Sequence, residues 1–301
     1  MMPPLLCLDH VLGHTGAAVI EDALASYRDD GFSTLPRTMR HDPGLRNGFV
    51  ALGPEYLELL WVEDERAFAA GGSWRQLQRR ARRPFAFALR SRDLDGVRAV
   101  WRDRGVDVGP ASHTAMWSFL HLPPATIPGV TCFAIHYHGV DEVRRGRVRV
   151  GDNGIYALAG LGLVVVDPDA ATRARDLFAP DAPVDTTPGE RRFLLGAHAL
   201  TWHTPEAFTR RYGFASAPVL GCEIAIVRLW SDDLDRSEDA LARAGRTVRR
   251  VSGLDGPELI VAPRPDDGFA FAIAARPIDA WVRWRRELTG EPIALASEEA
   301  S

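Results

Sequence analysis

Apolar and polar positions along the chain alternate between short strand-like runs and segments with helical periodicity. Residues 5–12 form an almost unbroken apolar run of strand length. Residues 18–30 follow as a helix that ends at Gly31, a residue suited to the left-handed position just past a helix terminus. Residues 33–36, 48–52 and 55–62 then read as strands. The order strand, helix and about three strands recurs further on. Asp93-Leu94-Asp95 opens a helical pattern that closes at Arg104-Gly105, and Asp233-Leu234-Asp235 opens another that closes at Ala244-Gly245. Positions 93 and 233, and again 105 and 245, keep one offset of 140 residues. Apolar strand runs precede each helix, at 84–89 and 222–227, and similar runs close each unit, at 132–135 and 269–273.

A weaker copy begins with a strand at 158–166 and a helix at 170–177, with later strands at 192–195 and 199–203. Four units therefore fall into two pairs, an α+β organisation of tandem βαβββ units. The expected domains are 1–140 and 156–276, joined by a polar, turn-rich linker at 141–155 that carries Arg144, Arg145, Arg147 and Arg149. Residues 277–301 are expected to hold a helix with Trp281 and Trp284, followed by a frayed tail.

Within the first unit one histidine and one carboxylate stand on apolar strands, His10 in Leu8-Asp9-His10-Val11 and Glu58 in Tyr56-Leu57-Glu58-Leu59. A carboxylate among hydrocarbon side chains is expensive unless it is paired or metal-bound, and imidazole with carboxylate is a ligand set for divalent Zn, Mn or Fe. The alternative is a His–Glu pair in a metal-free ligand pocket.

Charge and composition narrow the partners. A formal net charge of −4 gives no electrostatic case for nucleic acid or an anionic membrane, and the apolar stretches fall short of a membrane span. Cys7, Cys132 and Cys222 each lie in a strand-like apolar run, without metal-ligand spacing, and read as buried thiols. The chain lacks the basic start and apolar segment of a secretory signal, so a cytoplasmic protein is expected.

The motifs around His10 and Glu58, the segment Arg40-His41-Asp42-Pro43-Gly44, Arg46-Asn47-Gly48 leading into a strand, and the helix starting at Asp93 resemble the glyoxalase-like branch of the vicinal oxygen chelate superfamily. The resemblance covers residues 5–138 well and the second pair only in repeat shape. It implies two cupped mixed sheets, each built from paired βαβββ units, with metal held by the first and last strands of the units.

Carried onto this chain, the resemblance makes His10 and Glu58 ligands from the first unit and puts His136 where the family has a carboxylate. The fourth ligand strand offers only Phe85, Ala86, Phe87 and Ala88. A divalent ion, Fe, Mn or Zn, on His10, Glu58 and His136 is the implied cofactor. His138 and His121 are the candidate proton carriers. His41, Asn47, Trp61 and Trp117 are candidate substrate contacts. In the second pair Ala274 is expected at the place of His136, so that pair is expected to be metal-free and to serve as a structural or homodimer-forming domain. The resemblance implies a small-molecule partner and two function classes. One is a metal-dependent lyase, isomerase or dioxygenase acting on an oxygen-chelating substrate. The other is a metal-free binder that sequesters a small molecule, of the bleomycin-resistance type.

Overall fold

The computed structural model describes residues 5–35, 38–40, 43–71, 83–138, 147–167, 169–253, 256–264, 268–289 and 294–295. The first eight strands are β1 (Leu5–His14), β2 (Met39–Arg40), β3 (Leu45–Leu52), β4 (Glu55–Val62), β5 (Pro84–Ser91), β6 (Ser112–His113), β7 (Trp117–His121) and β8 (Thr131–Tyr137). They form one mixed sheet in the order β2-β3-β4-β1-β5-β8-β7-β6. Strand β1 runs parallel to β4 and antiparallel to β5, which in turn runs parallel to β8. Each unit thus contributes four strands, and the antiparallel β1–β5 seam joins the two units side by side.

After the short strand β9 (Arg147–Val148), the second sheet repeats this order as β11-β12-β13-β10-β14-β17-β16-β15. Its strands are β10 (Ile155–Val165), β11 (Asp185–Thr187), β12 (Glu190–Leu195), β13 (His198–His203), β14 (Cys222–Ser231), β15 (Val248–Gly253), β16 (Gly256–Val261) and β17 (Phe271–Ala275). The α+β architecture of two cupped mixed sheets, built from paired βαβββ units, is present as expected. Residues 33–36 depart from it: among the described residues of that stretch, Thr34 makes only an isolated bridge to Val50.

The helices are α1 (Ile20–Asp29), α2 (Glu65–Gly71), α3 (Leu94–Asp103), α4 (Ala170–Phe178), α5 (Pro205–Tyr212), α6 (Leu234–Arg243) and α7 (Ile278–Thr289). The repeated acidic residue ahead of α3 and α6 is a helix cap. The Asp93 side chain accepts from Gly96 N, and the Asp233 side chain accepts from Asp235 N and Arg236 N. Gly105 and Gly245 follow the two helix ends at φ +78° and +76°, a region that costs other residues their Cβ contacts.

One apolar core joins both sheets to these helices. It contains Leu57, Leu59, Phe87 and Trp101 from the first sheet and its helices, with Leu163, Phe178, Trp202 and Phe271 from the second. Contacts cross between the halves: Tyr27 and Phe32 lie against Phe271, Phe87 against Phe178, and Trp101 Nε1 donates to Leu177 O at 3.2 Å. Asp30, at the end of α1, accepts from Arg246 at 2.6 Å and from Arg264 at 2.5 Å.

The opposite face of each sheet is the concave one. In the first cup Phe68 of α2 is buried against Leu12, Leu45 and Leu60. In the second, α5 inserts Phe208 and Tyr212, and α7 inserts Trp281 against Tyr156. Neither α2 nor α5 belongs to the repeating unit.

Helix α7 also reaches the first sheet. Its fully buried Arg285 donates to Cys7 Sγ and lies 3.4 Å from Glu55 Oε1. His198 approaches the same carboxylate at 3.9 Å. Burial pushes the Glu55 carboxyl up to about 7 against the pull of Arg285, with Asp9 adding to the rise. Burial, with Arg285 beside it, pushes His198 down to about 3.

These two shifts act on stability in opposite directions. Between its ordinary value of 4.5 and about 7, Glu55 holds a proton in the folded chain that the unfolded chain has released. Its contribution is therefore fully present below that window and is lost as pH rises through it. His198 has the reverse sign between about 3 and 6.5. Comparing the parent with Glu55→Gln isolates the first effect. The Tm difference between them should fall as pH rises from 4.5 towards 7 and level off above. A difference that stays flat across that range contradicts the assignment.

Candidate functional site in the first cup

Strand alternation assigns the faces of the first sheet. Leu57 and Leu59 lie in the shared core, so Tyr56, Glu58 and Leu60 point into the cup. On β5, Phe87 and Leu89 face the core, which leaves Ala86, Ala88 and Arg90 for the cup. On β8, Phe133, Ile135 and Tyr137 join the cup cluster, while Cys132 and Ala134 join the core. Register then sets a row across the cup: Tyr56, His10, Ala88, Phe133 and His121 are successive cross-strand partners.

His10 and Glu58 come together as expected. His10 is 2% exposed and Glu58 5%, and His10 Nε2 lies 3.7 Å from Glu58 Oε2. Each also has another partner. His10 Nδ1 donates to Asp9 Oδ1 at 2.6 Å, and Asn47 Nδ2 donates to Glu58 Oε1 at 2.8 Å. The imidazole stacks on Tyr56, with ring centroids 4.4 Å apart and planes 9° off parallel, and meets the edge of Phe133.

Asp9 is the residue that the sequence reading passed over. It is fully buried, and besides His10 it accepts from Tyr137 Oη at 2.9 Å and from Arg90 Nη1 at 3.5 Å. Tyr137 Oη is in turn 3.3 Å from Tyr56 Oη. A histidine whose Nδ1 hydrogen is taken by a carboxylate is fixed in tautomer and orientation, with Nε2 turned to the site. The signal was present in the sequence: Asp9 is a carboxylate inside a strand whose neighbours Leu8 and Val11 are apolar.

His136 is not brought to this pair. It sits between Ile135 and Tyr137 on β8, so its side chain leaves the sheet on the side opposite the cup. There its Nδ1 bonds Ser91 O at 3.2 Å, and its ring lies 5.2 Å from that of His138. His138 shares this outer position. Its Nε2 is 2.7 Å from Ser118 Oγ, which is also 2.7 Å from His113 Nδ1. His138 is therefore remote from the His10 face as a proton carrier.

His121 does stand on the cup side, at the exposed rim beside Phe119 and Phe133, and desolvation there lowers its pKa. Trp117 packs against the cup cluster, whereas Trp61 packs against the shared core on the other face. Asn47 lies inside the site as a partner of Glu58, and His41 lies outside the described residues.

The second cup differs at every corresponding place. Gly160 holds the position of His10, Thr201 that of Glu58, Arg228 that of Ala88 and Ala272 that of Phe133. Ala274 pairs with Trp230 as Ile135 pairs with Arg90, so it is the counterpart of Ile135 and not of His136. In place of a histidine–carboxylate pair, Arg228 donates to Glu258 at 2.5 Å, and Arg211 lies 3.6 Å from the same carboxylate.

The distance between His10 Nε2 and Glu58 Oε2 is one that a single ion could span. Beyond those two donors, however, the cup-facing positions on β5 and β8 are Ala86, Ala88, Phe133 and Ile135, with Arg90 and Tyr137 bonded to Asp9. Among the described residues, no group of three His, Cys, Asp or Glu side chains is arranged to hold a metal ion. Protein metal sites that leave room for substrate ordinarily supply three ligands. The described residues therefore do not fit a resident divalent ion. No helix among them is long and apolar enough to cross a membrane.

The glyoxalase-like domain family matches residues 8–178, more than half of the chain. Among curated proteins none matches. Solved structures share the fold at low identity. Catechol 2,3-dioxygenase superposes with a TM-score of 0.60 at 13% identity, over 91% of this chain and 89% of that one. A mutant 4-hydroxymandelate synthase from Streptomyces coelicolor gives 0.59 at 13% identity, over 90% and 93%. A hypothetical protein from Staphylococcus aureus gives 0.56 at 11% identity, over 89% and 99%.

Removing one side of the Asp9 array takes a partner from each of its buried neighbours. Asp9→Asn leaves the Arg90 guanidinium, 3% exposed, without its carboxylate and should cost about 3–5 kcal/mol. Tyr137→Phe removes one hydrogen bond to a charged acceptor and should cost about 1.5–3 kcal/mol. Urea denaturation checks both. Equal costs, or a neutral Asp9→Asn, would contradict the hierarchy.

Proposed function

The chain belongs to the glyoxalase-like domain family, and from that premise we propose that its first cup binds a small organic molecule without a resident metal ion, as a binding or sequestering protein. One observation carries this reading. His10 and Glu58 are held by the protein's own Asp9 and Asn47, while the second unit turns Ala86, Ala88, Phe133 and Ile135 to the cup and its polar Arg90 and Tyr137 bond Asp9. Half-buried rings of Phe49, Tyr56, Trp117 and Phe119 offer an apolar surface on the cup face for the body of such a ligand. The imidazole Nε2, turned to the site by Asp9, supplies the polar contact that fixes its orientation. On this reading the ligand's chemistry is one polar group on an apolar or aromatic body.

The competing class is a metal-dependent lyase, isomerase or dioxygenase, and it differs in a measurable way. Protein purified without chelator should contain far less than one equivalent of Fe, Mn or Zn. Excess Zn, Mn or Fe(II) should leave its Tm unchanged, because an ion bound at 100 times its Kd would add about 2.7 kcal/mol. Small aromatic alcohols screened by thermal shift should include compounds that stabilise the parent but not His10→Ala. A stoichiometric metal that is lost in both His10→Ala and Glu58→Gln would overturn the proposal in favour of the metal-dependent class.

A further inference from the structure

Away from the first cup, a cleft of about 190 Å3 opens at the β11–β12 edge of the second sheet, and Thr186, Arg191 and Trp202 are part of its lining. Register makes these three neighbours in a row. Thr186 pairs with Arg191 across β11–β12, and Arg191 pairs with Trp202 across β12–β13. Their polar groups are a hydroxyl, a guanidinium and an indole N–H. Trp202 is 2% exposed, and its Nε1 has no hydrogen-bond partner among the described residues. An indole N–H can only donate, and a buried donor without an acceptor is costly. Half-buried Arg191 makes no ion pair among the described residues.

Glu190 and His203 also line the cleft, but this acid does not serve the row. Glu190 is directly opposite His203, so it belongs to the other face of the strand pair. There it is engaged by His203 at 3.3 Å and Arg211 at 3.8 Å. A buried donor lacking an acceptor and a cation lacking an anion thus share one face at one cleft.

We propose that this cleft is a binding site for a small organic carboxylate. One carboxylate oxygen accepts from Trp202 Nε1, the guanidinium of Arg191 takes the charge, and the Thr186 hydroxyl, exposed at the cleft margin, completes the set. Arginine's planar fork suits a carboxylate better than a point cation would. The site is independent of the first cup and of what that cup binds.

The indole N–H is its own reporter. In 15N-labelled full-length protein, Trp202→Phe assigns the Trp202 Nε1–H resonance, since the ring that stacks on Phe193 is replaced by another aromatic ring. Benzoate titrated at constant ionic strength should move that resonance saturably, and chloride should not. Arg191→Met should weaken benzoate binding by about tenfold or more, as expected for the loss of a charge-assisted contact, and Thr186→Val should weaken it less. No saturable shift, an equal shift with chloride, or unchanged affinity in Arg191→Met would each overturn the proposal.

Discussion

The fold of the first domain turns on a carboxylate that has no access to water. Asp9 lies in β1, at the seam between the two units, and an isolated ionised carboxylate there would be prohibitively costly. Its partners come from both units: His10 from the same strand, Arg90 from β5 and Tyr137 from β8. The antiparallel β1–β5 pairing is therefore held to a register that places Arg90 and Tyr137 over Asp9, as well as by backbone hydrogen bonds. A one-residue slip would send Arg90 to the core face and take its charge away from the carboxylate. The same arrangement orients His10, so the geometry of the site follows from the solution to a burial problem.

The second domain meets the same topology with different chemistry. Its equivalent of His10 is Gly160, and the cup is occupied instead by Arg228 and Glu258, with Phe208, Tyr212 and Trp281 packed around them. Helices α5 and α7 supply those rings, whereas in the first cup α2, which follows β4 as α5 follows β13, inserts Phe68. The first cup keeps its histidine–carboxylate pair and a set of half-buried rings. The second is sealed by its own helices, and its open cleft lies out at the sheet edge. The two sheets keep one strand order and differ in what fills the concave face.

Much of this was legible in the sequence because it depends on local signals. The 140-residue offset reflects two helices capped by Asp93 and Asp233 and ended by Gly105 and Gly245, each a short-range feature. The apposition of His10 and Glu58 was legible because a polar residue in an apolar strand demands a partner. His136 was misplaced for a specific reason. Its type suited a ligand, but period-two alternation from Phe133 gives the cup to Ile135 and Tyr137, so parity should have outweighed residue type. Trp61 failed in the same way, one residue out of phase with Leu60. Helices α2 and α5 were missed because they lie outside the repeat, and the repeat was the strongest guide.

What could not be read in advance was which polar residues would share a partner. Arg90 and Tyr137 are more than forty residues apart in sequence, and each stands more than eighty from Asp9; only the sheet brings them together. The same holds for Arg285, which comes from the far end of the chain to Glu55 and Cys7. Such long-range polar contacts carry little sequence signature, yet they decide which donors remain available. Asp9 takes the Nδ1 hydrogen of His10 and leaves Nε2 facing the cup. Across the seam Ala86, Ala88, Phe133 and Ile135 add shape and apolar surface, while Arg90 and Tyr137 bond Asp9. The organic ligand that we propose for this cup rests on that division: one imidazole nitrogen turned to the site beside half-buried rings.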